Sequence, residues 1–345
     1  MILDDRNIVE GKKAGRVTKL RFLREIYDDR PSSQTIHAFN SSLEQAGVRP
    51  VRHQPFSWME HAGRYLDHRR RVRNYFYLPG YAFIIALEWP YEERLFPVCY
   101  FGEIIPLCFD CWPKDYDKWS DLFCRHRIRI AFFTARQSAE HFQRKLPAMQ
   151  CHWLPEAADP EEYRALTRPV HNRGIDVLEL GRKSGNYHAM IRQALAQAGY
   201  VHRYRAPGER RIFPTRADLI DAWGDTKISI CFPKTITDAV KAGGVETVTF
   251  RYFESIASRC LVVGHCPQEL EDLFGYKPVL EADMDDPAGH LLSILSEIES
   301  YQEFIDRNHR RMLEVGGWNG RVQQMLSILS LKAYETGTRS NSRRS

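Results

Sequence analysis

The sequence predicts an α/β chain of two Rossmann-like domains, and three observations carry that expectation. A strand, helix and strand pattern opens the first half, two short apolar runs there suit strands buried on both faces, and a new strand, loop and helix unit begins at Ile175. The chain has 345 residues, 43% hydrophobic and 27% charged, enough to bury a full core in each of two domains.

After a polar leader, Lys19 to Tyr27 (KLRFLREIY) reads as the first strand. The loop DDRPSS leads to a helix over QTIHAFNSSLEQAG, with Ser33 near its start and Gly47 just past its end as boundary signals. VRPVRHQPF returns as a second strand, and a unit of this length implies a parallel sheet with a right-handed crossover. The next segment, SWMEHAGRYLDHRRRVRNYF, is helix-like and basic, most densely at residues 68–73. It is either a solvated helical face or a peripheral contact with an anionic membrane or a lipid-linked acceptor. Nucleic acid is not expected as a partner, because no helix-turn-helix, zinc-finger or RNA-recognition signature accompanies the charge.

Tyr81 to Glu88 and Glu103 to Asp110 are the apolar runs read as buried strands. Ligands of open α/β sheets bind beyond the carboxyl ends of the strands, so Asp110 would face the inter-domain crevice as an acceptor-site residue. The alternative is a carboxylate that caps the following turn. Cys108 and Cys111 form a CxxC, with Cys124 and His126 behind it. No metal is expected there, because Cys108 falls inside a buried strand and CxH is not a usual knuckle spacing. IRIAFFTARQSAEHFQRKL then reads as a strand passing into a helix.

The net charge of +5 is modest for the length, but its clustering favours an anionic partner. No stretch approaches the roughly 20 apolar residues of a membrane span, and MILDDRNIVEGKK lacks the apolar core of a signal peptide. The eight cysteines show no dense disulfide pattern, so the expected compartment is the cytoplasm, with possible contact at the inner membrane surface.

In the second half, IDVLELGRKSGNYHAMIRQALAQAGY is a strand, loop and helix, and TRADLIDAWGDTKISICFPKT adds a helix and a strand. The stretch GGVETVTFRYFESIASRCLVVGHCPQELEDLF follows. In it Glu246 and Glu254 are separated by seven residues, and the second opens a helical run, FESIAS, that ends at the strand CLVVGH. This resembles the C-terminal signature of retaining glycosyltransferases of the GT-B fold, the "group 1" set. Ser258 and Arg259 stand where that family commonly has a glycine. A second resemblance is WLPEAADPEEY, where Pro155, Asp159, Pro160 and Tyr163 match the phrase that often closes the family's N-terminal domain, with Glu156 and Ala157 in place of Asn-Gly.

The resemblance implies two Rossmann-like domains facing across a cleft, an acceptor domain over 1–168 and a nucleotide-sugar domain over 169–334. The tail 335–345 has too few apolar groups to pack and is expected to be disordered. Terminal helices of this family pack on the second domain and often cross back to the first. The resemblance further implies that Glu246 holds the donor sugar, that Glu254 accepts from the ribose, and that Arg182 and Lys183 reach the diphosphate. Lys234 and Arg251 are further donor-binding candidates, with Lys234 and Thr235 at the end of the strand before the motif. The implied activity is transfer of a sugar from a nucleotide-sugar donor to an acceptor hydroxyl with retention, in glycan or glycolipid synthesis. No cofactor or metal is implied, because cationic side chains and helix dipoles can stabilise the departing diphosphate. The competing readings are a sugar-nucleotide epimerase of the same fold and a non-catalytic sugar- or nucleotide-binding protein.

Overall fold

The computed structural model describes residues 19–24, 31–52, 80–90, 92–163, 168–206, 208–209 and 211–341. The basic stretch 68–73 lies outside the described residues.

The first half builds a sheet from β1 (Lys19–Arg24), β2 (Arg49–Arg52), β3 (Tyr81–Leu87), β4 (Glu103–Cys108), β5 (Ile130–Phe133) and β6 (Gln150–Trp153). Every pairing is parallel and the strand order is β2-β1-β3-β4-β5-β6. The interleaved helices include α1 (Pro31–Gln45), α2 (Tyr116–Arg125) and α3 (Arg136–Lys145). Because side chains alternate along each strand, Ile84 and Phe132 feed one core, while Phe83 and Phe133 feed the other.

The second half repeats this construction. It runs β7 (Ile175–Glu179), α4 (Gly185–Gln197), β8 (His202–Tyr204), α5 (Arg216–Gly224) and β9 (Thr226–Cys231). The short helices α6 (Lys234–Thr237) and α7 (Ala239–Ala242) follow, then α8 (Phe250–Ala257), β10 (Leu261–Gly264), α9 (Gln268–Phe274) and β11 (Leu280–Glu281). The parallel order is β11-β10-β9-β7-β8. Numbered within its own half, the second sheet therefore carries the doubly wound 2-1-3-4-5 order and the first the same order with a sixth strand added, and the ligand crevice of such sheets opens where the order reverses. In the second sheet that point lies between the carboxyl ends of β7 and β9.

The chain ends in α10 (Pro287–Ser296), α11 (Gln302–Val315) and α12 (Trp318–Asn341). From Trp318 onward it returns to the first domain, as the resemblance implied. Trp318 is buried among α1 and the first sheet, 5.2 Å from the Phe39 ring and 6.3 Å from Phe109. By packing, α12 belongs with the first sheet, although sequence order assigns 318–334 to the second domain. The helix also continues through 335–341, part of the segment expected to be disordered. That expectation rested on side-chain packing, whereas a helix satisfies its own backbone groups along its length. No described helix is long and apolar enough to cross a membrane.

Candidate active site in the inter-domain cleft

The segment from Glu246 to Phe250 is clamped between the two domains by backbone groups. The Glu246 amide donates to Gln137 Oε1 at 2.7 Å, and Thr247 Oγ1 lies 3.3 Å from the Thr134 carbonyl oxygen. Both partners belong to the entry of α3 in the first domain. The buried Glu269 completes the clamp: Oε1 accepts from the Arg136 amide at 2.6 Å, while Oε2 accepts from Thr247 Oγ1 at 2.9 Å and the Val248 amide at 3.0 Å. Glu156, on the exit strand's loop, accepts from the Phe250 amide at 2.6 Å. Burial pushes the Glu156 carboxyl up to about 8. It therefore reaches the first free amide of α8 as a neutral acid at pH 7.

The α8 helix explains how the glutamates sit. It begins at Phe250 behind an extended Thr249, three residues earlier than the expected run FESIAS, so Glu254 lies mid-helix and not at the helix opening. Its far end is a Schellman turn: the Arg259 amide donates to the Ile256 carbonyl at 3.0 Å and the Cys260 amide to Ser255 at 2.9 Å. Arg259 takes the left-handed conformation, φ 54°, at the position where the resembling family commonly has a glycine. The chain then enters β10, where any Cβ on Gly264 would meet the Cys231 carbonyl oxygen at 1.8 Å. Only glycine permits that approach of β10 to β9, and the next residue, His265, follows at the strand's carboxyl end.

Glu246 sits at this end. Its Oε2 lies 3.1 Å from His265 Nε2 and 3.5 Å from Thr235 Oγ1, and the side chain is 30% exposed. His265 Nδ1 contacts Glu281 Oε2 at 3.1 Å. Glu254 has different surroundings. It is 1% exposed, and its Oε1 accepts from the Tyr163 hydroxyl at 2.7 Å and from Arg216 at 3.1 Å. Oε2 makes no hydrogen bond but lies 3.3 Å from Arg251 in an ion pair. The Arg251 guanidinium also stands 3.7 Å from where a Cβ on Gly181 would be, beside the loop that carries Arg182.

Lys234 follows β9 and is the most unusual side chain of the cleft. It is 3% exposed, its ammonium makes no hydrogen bond, and it rests 4.1 Å from the centre of the Trp112 ring in the first domain. Burial, reinforced by Arg182 and Lys241 and opposed by Asp110, lowers its pKa to about 8. Asp110 lies at the end of β4 in a left-handed conformation, φ 44°, and accepts from Trp112 Nε1 at 3.1 Å. Asp110 and Arg182 are thus both near enough to Lys234 to act on its charge, while Glu246 stands against His265 at the end of the neighbouring strand β10. Lys183 is turned away: it donates to the Arg205 carbonyl at 2.8 Å and lies over the Tyr204 ring.

Gln137, Trp112, Glu156, Tyr163, Arg216 and His265 complete these contacts and were not among the sequence candidates. His265 was the most legible of them, since it ends the strand that the motif runs into. The CxxC cysteines, Cys108 and Cys111, are free and buried, and burial raises both thiols. Among the described residues they join no group of metal-ligand spacing.

The backbone is similar to a sucrose-phosphate synthase from Thermosynechococcus elongatus, with a TM-score of 0.59 and 10% identity over 91% of this chain and 98% of that one. It is also similar to Anabaena HepE in complex with UDP and glucose, with a TM-score of 0.57 and 10% identity over 91% of this chain and 99% of that one. An α,α-trehalose-phosphate synthase (UDP-forming) from Burkholderia vietnamiensis gives 0.55 and 12% over 91% and 100%. At these identities the likeness establishes the fold, and the architecture is GT-B: two parallel α/β domains facing across a cleft. No family model and no curated protein matches the sequence.

Proposed function

We propose that the protein is a glycosyltransferase that moves a sugar from a nucleotide-sugar donor to an acceptor hydroxyl with retention of configuration. The observation that carries this reading is the Lys234 ammonium, buried beside the switch point of the second sheet without a hydrogen-bond partner and near enough to Arg182 for that charge to lower its pKa. A buried ammonium with a second cation nearby is stabilised by an anion such as a diphosphate. The solved relatives include one holding UDP and glucose and one whose name records UDP formation, so a uridine nucleotide is the first donor to try.

In this reading the bond between the sugar's anomeric carbon and the β-phosphate oxygen breaks, and the acceptor oxygen forms its bond on the face just vacated. The acceptor proton passes to the departing phosphate. Lys234 and Arg182 stabilise the charge that develops on the diphosphate, so the transfer needs no metal on the phosphates. Glu246 holds sugar hydroxyls, oriented by His265 and Thr235. Glu254 Oε2, the oxygen without a hydrogen bond, is left for a ribose hydroxyl once Arg251 turns aside. Asp110 lines the acceptor side, and the acceptor is a carbohydrate or a lipid-linked sugar. The same reading has a cytoplasmic enzyme whose basic stretch 68–73 makes peripheral contact with an anionic inner membrane surface, supported by the clustering of positive charge there.

Release of free nucleoside diphosphate from a panel of UDP-, GDP- and ADP-sugars, with glycan and lipid-linked acceptors, tests the reading. One donor is expected to be consumed, with turnover at least about 100-fold lower in Glu246→Gln. Binding of a nucleotide sugar without any release would refute catalysis and leave a binding protein.

A further inference from the structure

Behind the loop that carries Arg182 lies a buried polar group that the proposed transfer does not use. Glu179 ends β7, His202 opens the edge strand β8, and His188 lies on the first turn of α4. The β7 and β8 register pairs Val177 with His202 and Glu179 with Tyr204, so all four side chains project to the same face of the sheet, toward α4. The Glu179 carboxylate and one ligand nitrogen from each histidine all lie within 4.8 Å of one another.

The side chains of Glu179 and His202 are only 2% and 5% exposed. Glu179 Oε2 is hydrogen-bonded to His188 Nδ1, but Glu179 Oε1 has no hydrogen-bond partner. Neither nitrogen of His202 makes a hydrogen bond, and its Nε2 lies 3.5 Å from Glu179 Oε2. The Tyr187 hydroxyl is also buried without a partner, close enough for Glu179 to raise its pKa further. A hydrogen-bonded glutamate and histidine pair accounts for His188 but leaves His202 and Glu179 Oε1 unexplained. A buried polar group without a partner is costly, so the three unsatisfied atoms of Glu179 and His202 at one point indicate a missing partner. Since the two imidazoles and the carboxylate can all act as electron-pair donors, that partner is a cation.

We propose that Glu179, His188 and His202 bind a divalent transition metal of the zinc class. Two imidazole nitrogens and one carboxylate oxygen form a three-ligand set suited to zinc, with a fourth position open to water. The Tyr204 ring, with centroids 4.7 Å from both histidine rings, shields the group, and the Lys183 ammonium sits 4.5 Å above that ring. The ion would tie together the end of β7, the edge strand and α4, and so brace residues 180–184 from behind.

The test is zinc stoichiometry of the full chain after loading with Zn²⁺ and exhaustive dialysis, together with the visible d–d spectrum of the Co²⁺-loaded protein. One equivalent of tightly held zinc and a low-symmetry cobalt band are expected. His188→Gln and His202→Gln should each weaken binding at least about tenfold, while His171→Gln, at an exposed histidine, should not. His188 is the partly exposed member, so His188→Gln decides the matter if His202→Gln does not fold. Failure of the wild-type chain to retain zinc, or retention unchanged in His188→Gln, would overturn the proposal.

Discussion

Replacing Lys234 with methionine separates an ammonium kept for a ligand from one kept for the fold. A displacement of its pKa from the ordinary 10.5 to about 8 corresponds to about 3 kcal/mol of unfavourable burial at neutral pH. The stacking on Trp112 at 4.1 Å offsets about 1–2 kcal/mol of this. Methionine fills a similar volume without the charge, so Lys234→Met should gain about 1–2 kcal/mol in urea unfolding at pH 7. A lysine depressed in this way carries its full cost below pH 8 and loses it as pH rises from 8 toward 10.5, so the gain should shrink by more than half at pH 9.5. Nucleoside diphosphate affinity, measured by calorimetry, should fall about 10- to 100-fold, the worth of one hydrogen bond to a charged group. A variant that is less stable at pH 7 yet binds the nucleotide normally would refute the reasoning.

Three further substitutions probe the surroundings. Glu254→Ala leaves Arg216 and Arg251 without their buried carboxylate and should cost about 3–5 kcal/mol in urea unfolding; a loss below 1 kcal/mol would mean the network is not held as described. Arg259→Gly relieves the left-handed turn after α8 and should raise stability by about 0.5–1 kcal/mol in the same assay, and any destabilisation would contradict the strain argument. Because the Glu156 carboxyl titrates near 8 when folded and at its ordinary 4.5 when unfolded, the wild-type chain loses stability as pH rises between those values. Glu156→Gln escapes this loss, so its melting temperature should exceed wild type more at pH 8.5 than at pH 5; an equal difference at both would show that Glu156 is not held neutral.

The strands and most helices were legible because they rest on local patterns. The runs at 81–88 and 103–110 have the uninterrupted apolar character of strands covered on both faces, and the two observed strands fall inside them. The carboxylate pair of the motif was legible for the same reason. The division of labour within the pair was not, because Glu254's partners Tyr163 and Arg216 lie 91 and 38 positions away. Lys234 feels the charge of Arg182 only because β7 and β9 are neighbours at the reversal of strand order, a property of the whole sheet. Lys183 shows the opposite case. Its place beside Arg182 suggested a shared target, but successive side chains of an extended loop diverge, and Lys183 found the β8 side instead.

Amide hydrogen exchange across the chain, with and without saturating UDP, locates the donor without assuming any residue's role. Slowed exchange at both 180–185 and 246–254 is the predicted outcome, since those segments form the two walls of the proposed diphosphate site. Protection confined to the first sheet, or none at either segment while UDP is bound, would contradict it.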